Sequence, residues 1–453
     1  MLRVDACACP SPCRGISRRS FVQLGAAGLV SLGLPELARL KEASACSGPA
    51  GKDTRVILIW LDGGPSHLDL YDMKPNAPAE YRGMWRPIRT KVPGMEISEL
   101  LPRQARVADK FSIIRSISHN DGEHFSAAHR MLTGRPGPNA GNRPSHFPSI
   151  GSIATRVTGP RRPSLPPYVS IPKASSIGER PGYFGANYLG QVYDPFETDG
   201  DPNQKGFTVR NLELPLGLSI DRIDDRRSLL RNLDTLRRTG DAQDQFDAMD
   251  RFEQKAYELV TGADVRRAFD LSSESEALRD RYGRNTWGQS TLLARRLAEA
   301  GVTFTTVLMA GWDHHWNLKA GMEEYLPRLD AAVATLFEDL ASRGLLEKVC
   351  VVVFGEFSRT PRMNDGSGQG TPGRDHWGNS MSVVMGGGGV KGGRVIGSTD
   401  AKGEAPVDHP LTPQDFHATL YQVLGVDPSV QFPNHAGRPV PAIDQGEPIK
   451  ELC

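Results

Sequence analysis

The sequence predicts an α/β fold, a mostly parallel central sheet flanked by helices and carrying a helical insertion. Three observations predict it. Apolar, β-like runs at 56–61, 302–309 and 349–354 have the length of buried strands, and parallel strands covered on both faces read this way rather than as alternating patterns. An amphipathic stretch of helical length, 322–343, separates the second run from the third, the rhythm of a βαβ unit. Each run also ends in a carboxylate beside glycine: Asp62 before Gly63-Gly64, then Gly311-Trp312-Asp313, then Gly355-Glu356. In open α/β sheets, ligand groups gather in the crevice beyond the carboxyl ends of the strands.

The N-terminus carries a targeting pattern. Ser17-Arg18-Arg19-Ser20-Phe21-Val22 precedes a mild apolar stretch, 24–34, too short to span a bilayer, where about 20 residues are needed. A twin arginine in this setting has the form of a Tat export signal, so residues 1–45 are expected to engage the Tat translocon. Ala43-Ser44-Ala45 offers a cleavage site, and Cys46 directly after it leaves lipoprotein anchoring as an alternative. The expected location is the periplasm or cell envelope. Residues 46–54 read as a linker and 55–453 as the folded domain.

Along that domain, Arg55 opens the first strand, and Gly-Gly-Pro chemistry after Asp62 ends it. Further short strands are predicted at 111–117 and 168–171. The stretch 119–215 is dense in Gly, Pro and Asn and is expected to form loops that wall a site. From 221 to 300 the texture changes: 221–239, 241–261 and 274–300 are charged with apolar residues at helical spacing, a helical insertion. The strands at 302–309, 349–354 and 381–385 and the helix 322–343, stopped by Gly344, restore the α/β rhythm. A last helix, 416–424, ends at Gly425. Gly386–Gly389 with Lys391 lacks the ending of a phosphate loop and reads as a turn between strands.

Net charge is +1, from 54 basic and 53 acidic side chains, with no long basic tract, so no nucleic-acid partner is expected. Cys7, Cys9 and Cys13 precede the twin arginine and Cys350 sits inside an apolar run, so neither a disulfide framework nor a thiolate metal site is predicted. Candidate metal ligands are instead carboxylates and imidazoles, a donor set that suits zinc, calcium, manganese or magnesium. Asp313 and His315, two apart, share one side of an extended segment, while His314 points the other way. Asp62, Glu356 and His376 complete the metal set, and Asp375 is a candidate to orient a ligand histidine.

Five segments resemble one bacterial family: Gly63-Gly64-Pro65-Ser66-His67-Leu68-Asp69, Tyr282-Gly283-Arg284-Asn285-Thr286, Gly311-Trp312-Asp313, Gly355-Glu356-Phe357-Ser358-Arg359-Thr360-Pro361 and Gly373-Arg374-Asp375-His376-Trp377. The family is the exported domain-of-unknown-function family 1501, within the alkaline phosphatase and sulfatase superfamily, and the resemblance runs from about residue 17 to the C-terminus. It implies an alkaline phosphatase-like fold. It also implies metal ligation by Asp62, by Asp313 with His315, and by the final histidine, His376. Where a phosphatase of this superfamily has Asp-His, this chain has Glu356-Phe357. The segment from His124 to Arg135 ends in the Leu-Thr-Gly-Arg of sulfatases, and the sulfatase nucleophile position falls on His124, with Ser126 two residues on as the alternative hydroxyl. His124, Ser126 and Arg359 are therefore the candidate catalytic residues. Histidine can form phosphoryl intermediates, and Arg359 or Arg130 can offset charge on a transferring group.

The expected function is an exported metal-dependent hydrolase of phosphate or sulfate esters, acting on an anionic small molecule or polysaccharide. The alternative is a non-catalytic pseudo-hydrolase that binds an anionic glycan or partner.

Overall fold

The centre of the sheet is the strand Arg55–Asp62 (β1), whose seven residues from Val56 onward are all buried. In chain order the other sheet strands are Ser112–Ile117 (β2), Tyr168–Ile171 (β3), Phe196–Glu197 (β4), Phe304–Ala310 (β5), Val349–Phe354 (β6), Met381–Gly386 (β7) and Val395–Ile396 (β8). They hydrogen-bond in the order β8-β2-β7-β6-β1-β5-β3-β4. β1 pairs in parallel with β5, Asp62 opposite Ala310, and with β6, Trp60 opposite Phe354. β7 is antiparallel to both its neighbours, β6 and β2. The remaining pairings are parallel, so one strand of the eight runs against the others.

These strands belong to a computed structural model that describes residues 53–137, 144–162, 164–209, 257–259, 261–366 and 368–453, with Leu212, Arg222 and Asp225 singly. The expected signal 1–45, most of the linker 46–54, and nearly all of the helical segments predicted at 221–239 and 241–261 lie outside the described residues.

Side chains two apart on a strand share a face, and β1 shows what this does. Ile57, Ile59 and Leu61 join one apolar cluster, and Val56, Leu58 and Trp60 the other. The second cluster is closed by His124–Thr133 (α1), Ile150–Thr158 (α2) and the C-terminal helix, through Met131, Ile153 and Phe416. The first is closed by Thr286–Ala300 (α3) and Leu318–Ser342 (α4), through Leu293, Leu297, Leu329 and Val333. The C-terminal helix, Pro413–Leu424 (α5), starts on a capping box in which Thr412 and Asp415 satisfy each other's backbone donors. The layers are helix, sheet, helix. Cys350 is a buried member of the second cluster.

Three differences from the sequence reading have local causes. Among its described residues, the stretch 119–215 holds two α-helices, α1 and α2, with Glu123 and Ser149 accepting backbone N–H groups at their first turns. Averaged over a Gly- and Pro-rich window, helices this short vanish. The single segment predicted at 274–300 is two helices, Glu276–Tyr282 and α3, separated where Asn285 caps the second through Gly288 N. α4 begins a turn earlier than predicted, at Leu318. Among the described residues, no helix is long and apolar enough to cross a membrane.

One buried ion pair ties the loops beyond the sheet together. Arg374 and Asp69 are both buried, 3.0 Å apart. Asp69 also accepts from Ser66 Oγ and Met84 N, while Arg374 donates to the carbonyls of Thr360, Pro361, Tyr81 and Arg82. Removing one partner of such a pair leaves the other charged and dry, which costs about 3–5 kcal/mol. Arg374→Met is expected to lower the unfolding free energy by that amount, read from denaturant midpoints. A loss under about 1 kcal/mol would show that the pair contributes little.

Candidate metal centre

The site is built by strand ends. β1, β5 and β6 deliver Asp62, Asp313 and Glu356 at their carboxyl ends, and β2 runs to the same edge before the chain turns into α1, whose first residue is His124. β7, being antiparallel, presents its amino end there, and the residues just before it supply His376. His376 is held in a two-residue ribbon opposite Arg359.

Backbone contact between the β1 and β5 loops brings these ends close. The Asp62 carbonyl accepts from Gly311 N and Trp312 N at 3.2 and 3.1 Å. A Cβ at residue 63 would lie 2.6 Å from Asp313 N, and φ there is +115°, so only glycine fits. Gly63 N in turn donates to both oxygens of Glu356.

His124, Asp313 and His376 offer ligand atoms that all lie within 4.8 Å of one another. Asp313 Oδ2 is 3.2 Å from His124 Nε2, and Oδ1 is 3.2 Å from His315 Nε2 and 3.4 Å from His376 Nε2. The two Nε2 atoms of His315 and His376 are 2.9 Å apart. Each ring's other nitrogen faces an oxygen: His124 Nδ1 meets Glu356 Oε1 at 2.7 Å, His315 Nδ1 meets Asp375 Oδ1 at 2.6 Å, and His376 Nδ1 meets the Gly122 carbonyl at 2.8 Å.

Those partners decide the tautomers. A carboxylate or carbonyl only accepts, so each Nδ1 carries the hydrogen, and each neutral ring then has a lone pair on Nε2. Three lone pairs therefore converge on one carboxylate. Two of them face each other at hydrogen-bond distance with no proton to share. The buried Nε2 of His124 has no aligned hydrogen bond, although Asp313 is close. Only a cation satisfies this arrangement, either an extra proton or a metal ion. Histidines whose Nδ1–H is held by an oxygen are the usual form of metal-binding imidazole, so the donor set fits a metal.

Electrostatics agree. Burial works against charging His124, but contact with Asp313 and Glu356 outweighs it and lifts the pKa from 6.5 to about 9. Burial likewise opposes ionisation of Asp313, yet His124, His376 and Arg359 hold its carboxyl far below the usual carboxylate range. Phe357 is buried and packs against both imidazoles, its ring 4.9 Å from His124 and 4.6 Å from His376.

The other sequence candidates lie around this cluster. Glu356, fully buried, sits behind His124 with its oxygens engaged by Gly63 N and His124 Nδ1. Asp62 accepts from Trp60 Nε1 at 3.0 Å and Ile177 N at 2.7 Å, and burial, with Glu356 nearby, raises its pKa to about 7. Arg359 is buried, with donors committed to Gly64 O, Gly63 O and Arg374 O and to Asp313 Oδ1 at 2.5 Å. It orients Asp313 rather than facing solvent. Ser126 Oγ donates to the Glu123 carbonyl at 3.2 Å, within its own helical turn. Arg130 pairs with Asp121. His314 turns away, its ring against Tyr325 and over Gly321. His67 is buried, bonded to Ser358 and the Gly403 carbonyl.

Phe357 enters the sequence reading only as a departure from the Asp-His pattern, and the Gly122 carbonyl does not enter it. A phenylalanine carries no ligand signal, and a carbonyl carries no residue signal at all.

Fold and cluster together define an α/β protein with a carboxylate–imidazole centre at the carboxyl edge of its sheet. The chain belongs to the family described as "Protein of unknown function (DUF1501)", matched over residues 53–453. No curated protein matches it. Similar solved structures include the lipoteichoic acid synthase LtaP from Listeria monocytogenes, at 10% identity and TM-score 0.42 over 89% of this chain and 77% of that one. The PsFucS1 sulfatase from Pseudoalteromonas sp. is similar at 14% and 0.40, over 87% and 72%. The alkaline phosphatase from the Antarctic bacterium TAB5 is similar at 13% and 0.38, over 82% and 98%.

The raised pKa of His124 gives metal uptake a sign. In metal-free protein, the stability from its charged form is present in full below pH 6.5 and lost as pH rises through about 9. A metal ion must displace that proton. Zinc titrated into chelator-stripped protein at neutral pH is expected to release about one proton per ion from His124, with affinity rising with pH until about 9. His376→Ala should lose most of the uptake. Proton-independent uptake that survives in this variant would place the ion elsewhere.

Proposed function

We propose that the protein is a metal-dependent hydrolase of anionic esters, phosphate or sulfate, with His124, Asp313, His315 and His376 as the ligand set. The observation that carries this is the convergence of three imidazole lone pairs on the Asp313 carboxylate. Imidazole-rich sites suit transition ions such as zinc, whereas calcium and magnesium prefer all-oxygen shells. When bound, the ion would polarise the ester's non-bridging oxygens and lower the pKa of an attacking water.

The chain's own residues have supporting roles in this reading. Glu356 and Asp375 hold the Nδ1 protons of His124 and His315, which keeps their Nε2 atoms aimed inward. Arg359 keeps Asp313 ionised and in place. Phe357 keeps water from one side of the His124 and His376 rings, which strengthens the local field. Ser126 Oγ is occupied by the Glu123 carbonyl, which favours water over serine as the nucleophile.

The test is multiple turnover of an aryl phosphate and an aryl sulfate by metal-loaded protein. Saturable hydrolysis of one of them is expected, reduced by a factor of about 10² or more in Asp313→Asn, as when a group that stabilises the transition state is removed. Metal-loaded protein that turns over neither ester would favour the non-catalytic binding reading.

The segment around Arg18-Arg19 supports a second proposal, that the protein reaches the periplasm or cell envelope through the Tat route. Replacing both arginines by lysine should retain it in the cytoplasm. Undiminished export of that variant would refute the assignment.

A further inference from the structure

Beside the metal centre lies a cavity of about 340 Å³ that none of the chemistry above uses. This falls at the lower end of the roughly 300–1,000 Å³ typical of ligand pockets. It is walled by Asn203, Arg284, Asn285, Trp287, Tyr325 and Arg328, with Ala310 at the end of β5 also in its lining. Ala310 and Asp313 are three residues apart, so their Cα atoms are separated by no more than about 11 Å. The Ala310 wall of the cavity therefore lies within one small ligand's length of Asp313.

Its wall is the break between Glu276–Tyr282 and α3. Arg284 lies in that break and Asn285 caps α3, with Asn285 Oδ1 bound to Gly288 N at 3.0 Å. The family-like segment from Tyr282 to Thr286 thus shapes a cavity, not the metal centre. Trp287 is fixed from behind, stacked on buried Trp312 at 5.6 Å and 17°, and packs against Tyr325 at 5.0 Å. The Asn203 amide, the Trp287 indole N–H and the Tyr325 hydroxyl make no hydrogen bond to another described group and are not sealed from solvent.

The charges at the rim are already matched. Arg284 pairs with Asp280 at 2.5 Å and with Glu276, and Arg328 pairs with Glu324 at 2.8 Å. The cavity therefore lacks the net positive field that a second anion would need. It offers the exposed parts of Trp287 and Tyr325 among neutral hydrogen-bonding groups and arginines already paired with carboxylates, a lining suited to a neutral, hydroxyl-rich ring that is apolar on its face and polar at its edge.

We propose that this cavity binds a neutral sugar ring, and that the ester presented to the metal centre is carried by a saccharide. The location of the ester rests on the hydrolase reading above, whereas binding of the ring does not. The test is retention of the full-length protein on an array of neutral and sulfated oligosaccharides, for the native chain, Tyr325→Phe, Asn203→Ala and His376→Ala. Each of the first two substitutions deletes one hydrogen-bonding group.

Binding to at least one oligosaccharide is expected, weakened about five- to tenfold in Tyr325→Phe and in Asn203→Ala and retained in His376→Ala. Aryl phosphate and aryl sulfate turnover, read on the same preparations, should be unchanged in the two cavity variants and lost in His376→Ala. An array that retains no protein, or binding that ignores both cavity substitutions, would overturn the proposal even if hydrolysis is normal. Cavity-dependent binding without any hydrolysis would uphold it and remove only the hydrolase reading.

Discussion

The Asp313 carboxylate is the point on which the site depends. It is exposed enough to accept a ligand, yet it is held on one side by the buried guanidinium of Arg359 and faced on the other by His124, His315 and His376. Taking Arg359 out of water is costly unless its donors are satisfied. They are satisfied by Asp313 and by the carbonyls of Gly63, Gly64 and Arg374, all groups that shape the site loops. The residue that neutralises the centre therefore also clamps the β1 exit, and a shift of any one loop would unpair a buried charge.

The topology explains how residues so far apart in sequence reach one place. β1, β5 and β6 are parallel neighbours, so three carboxyl ends open to the same edge. A fourth parallel strand in the position of β7 would put the segment before it at the opposite edge. Because β7 is antiparallel, the loop before it returns to the site and brings Arg374, Asp375 and His376 with it. Arg374 then locks that loop to Asp69 on the β1 exit. The single reversed strand is a requirement of the site rather than an irregularity of the sheet.

Phe357 shows how a side chain that is not a ligand can still shape the centre. It cannot coordinate, but its ring packs at a tilt against both His124 and His376. The carboxylate beside it, Glu356, accepts a hydrogen bond from the Nδ1–H of His124 from behind. Contact with Asp313 and Glu356 outweighs the burial that opposes charging His124, which is why His124 holds a proton so firmly in the absence of a metal.

Much of this was legible in the sequence because it depends on short-range patterning. Apolar runs of strand length marked β1, β5, β6 and β7. Helical spacing marked α4 and α5, and carboxylates at strand ends marked the edge that carries the site. The i, i+2 spacing of Asp313 and His315 placed both on one side, with His314 turned away. Short helices such as α1 and α2 escaped because their signals are a cap and one or two turns inside loop-like composition. What only the tertiary structure decided is the role of each group. Arg359 is a buried clamp, Glu356 lies behind His124, Asp62 is engaged by Trp60 and Ile177, and Tyr325 packs against Trp287 in the wall of a cavity. The physical reason is that strand formation depends on neighbours two residues apart. Protonation, hydrogen bonding and exposure depend on neighbours hundreds of residues away, which the fold alone brings within 3 Å of one another, as with His124 and Glu356.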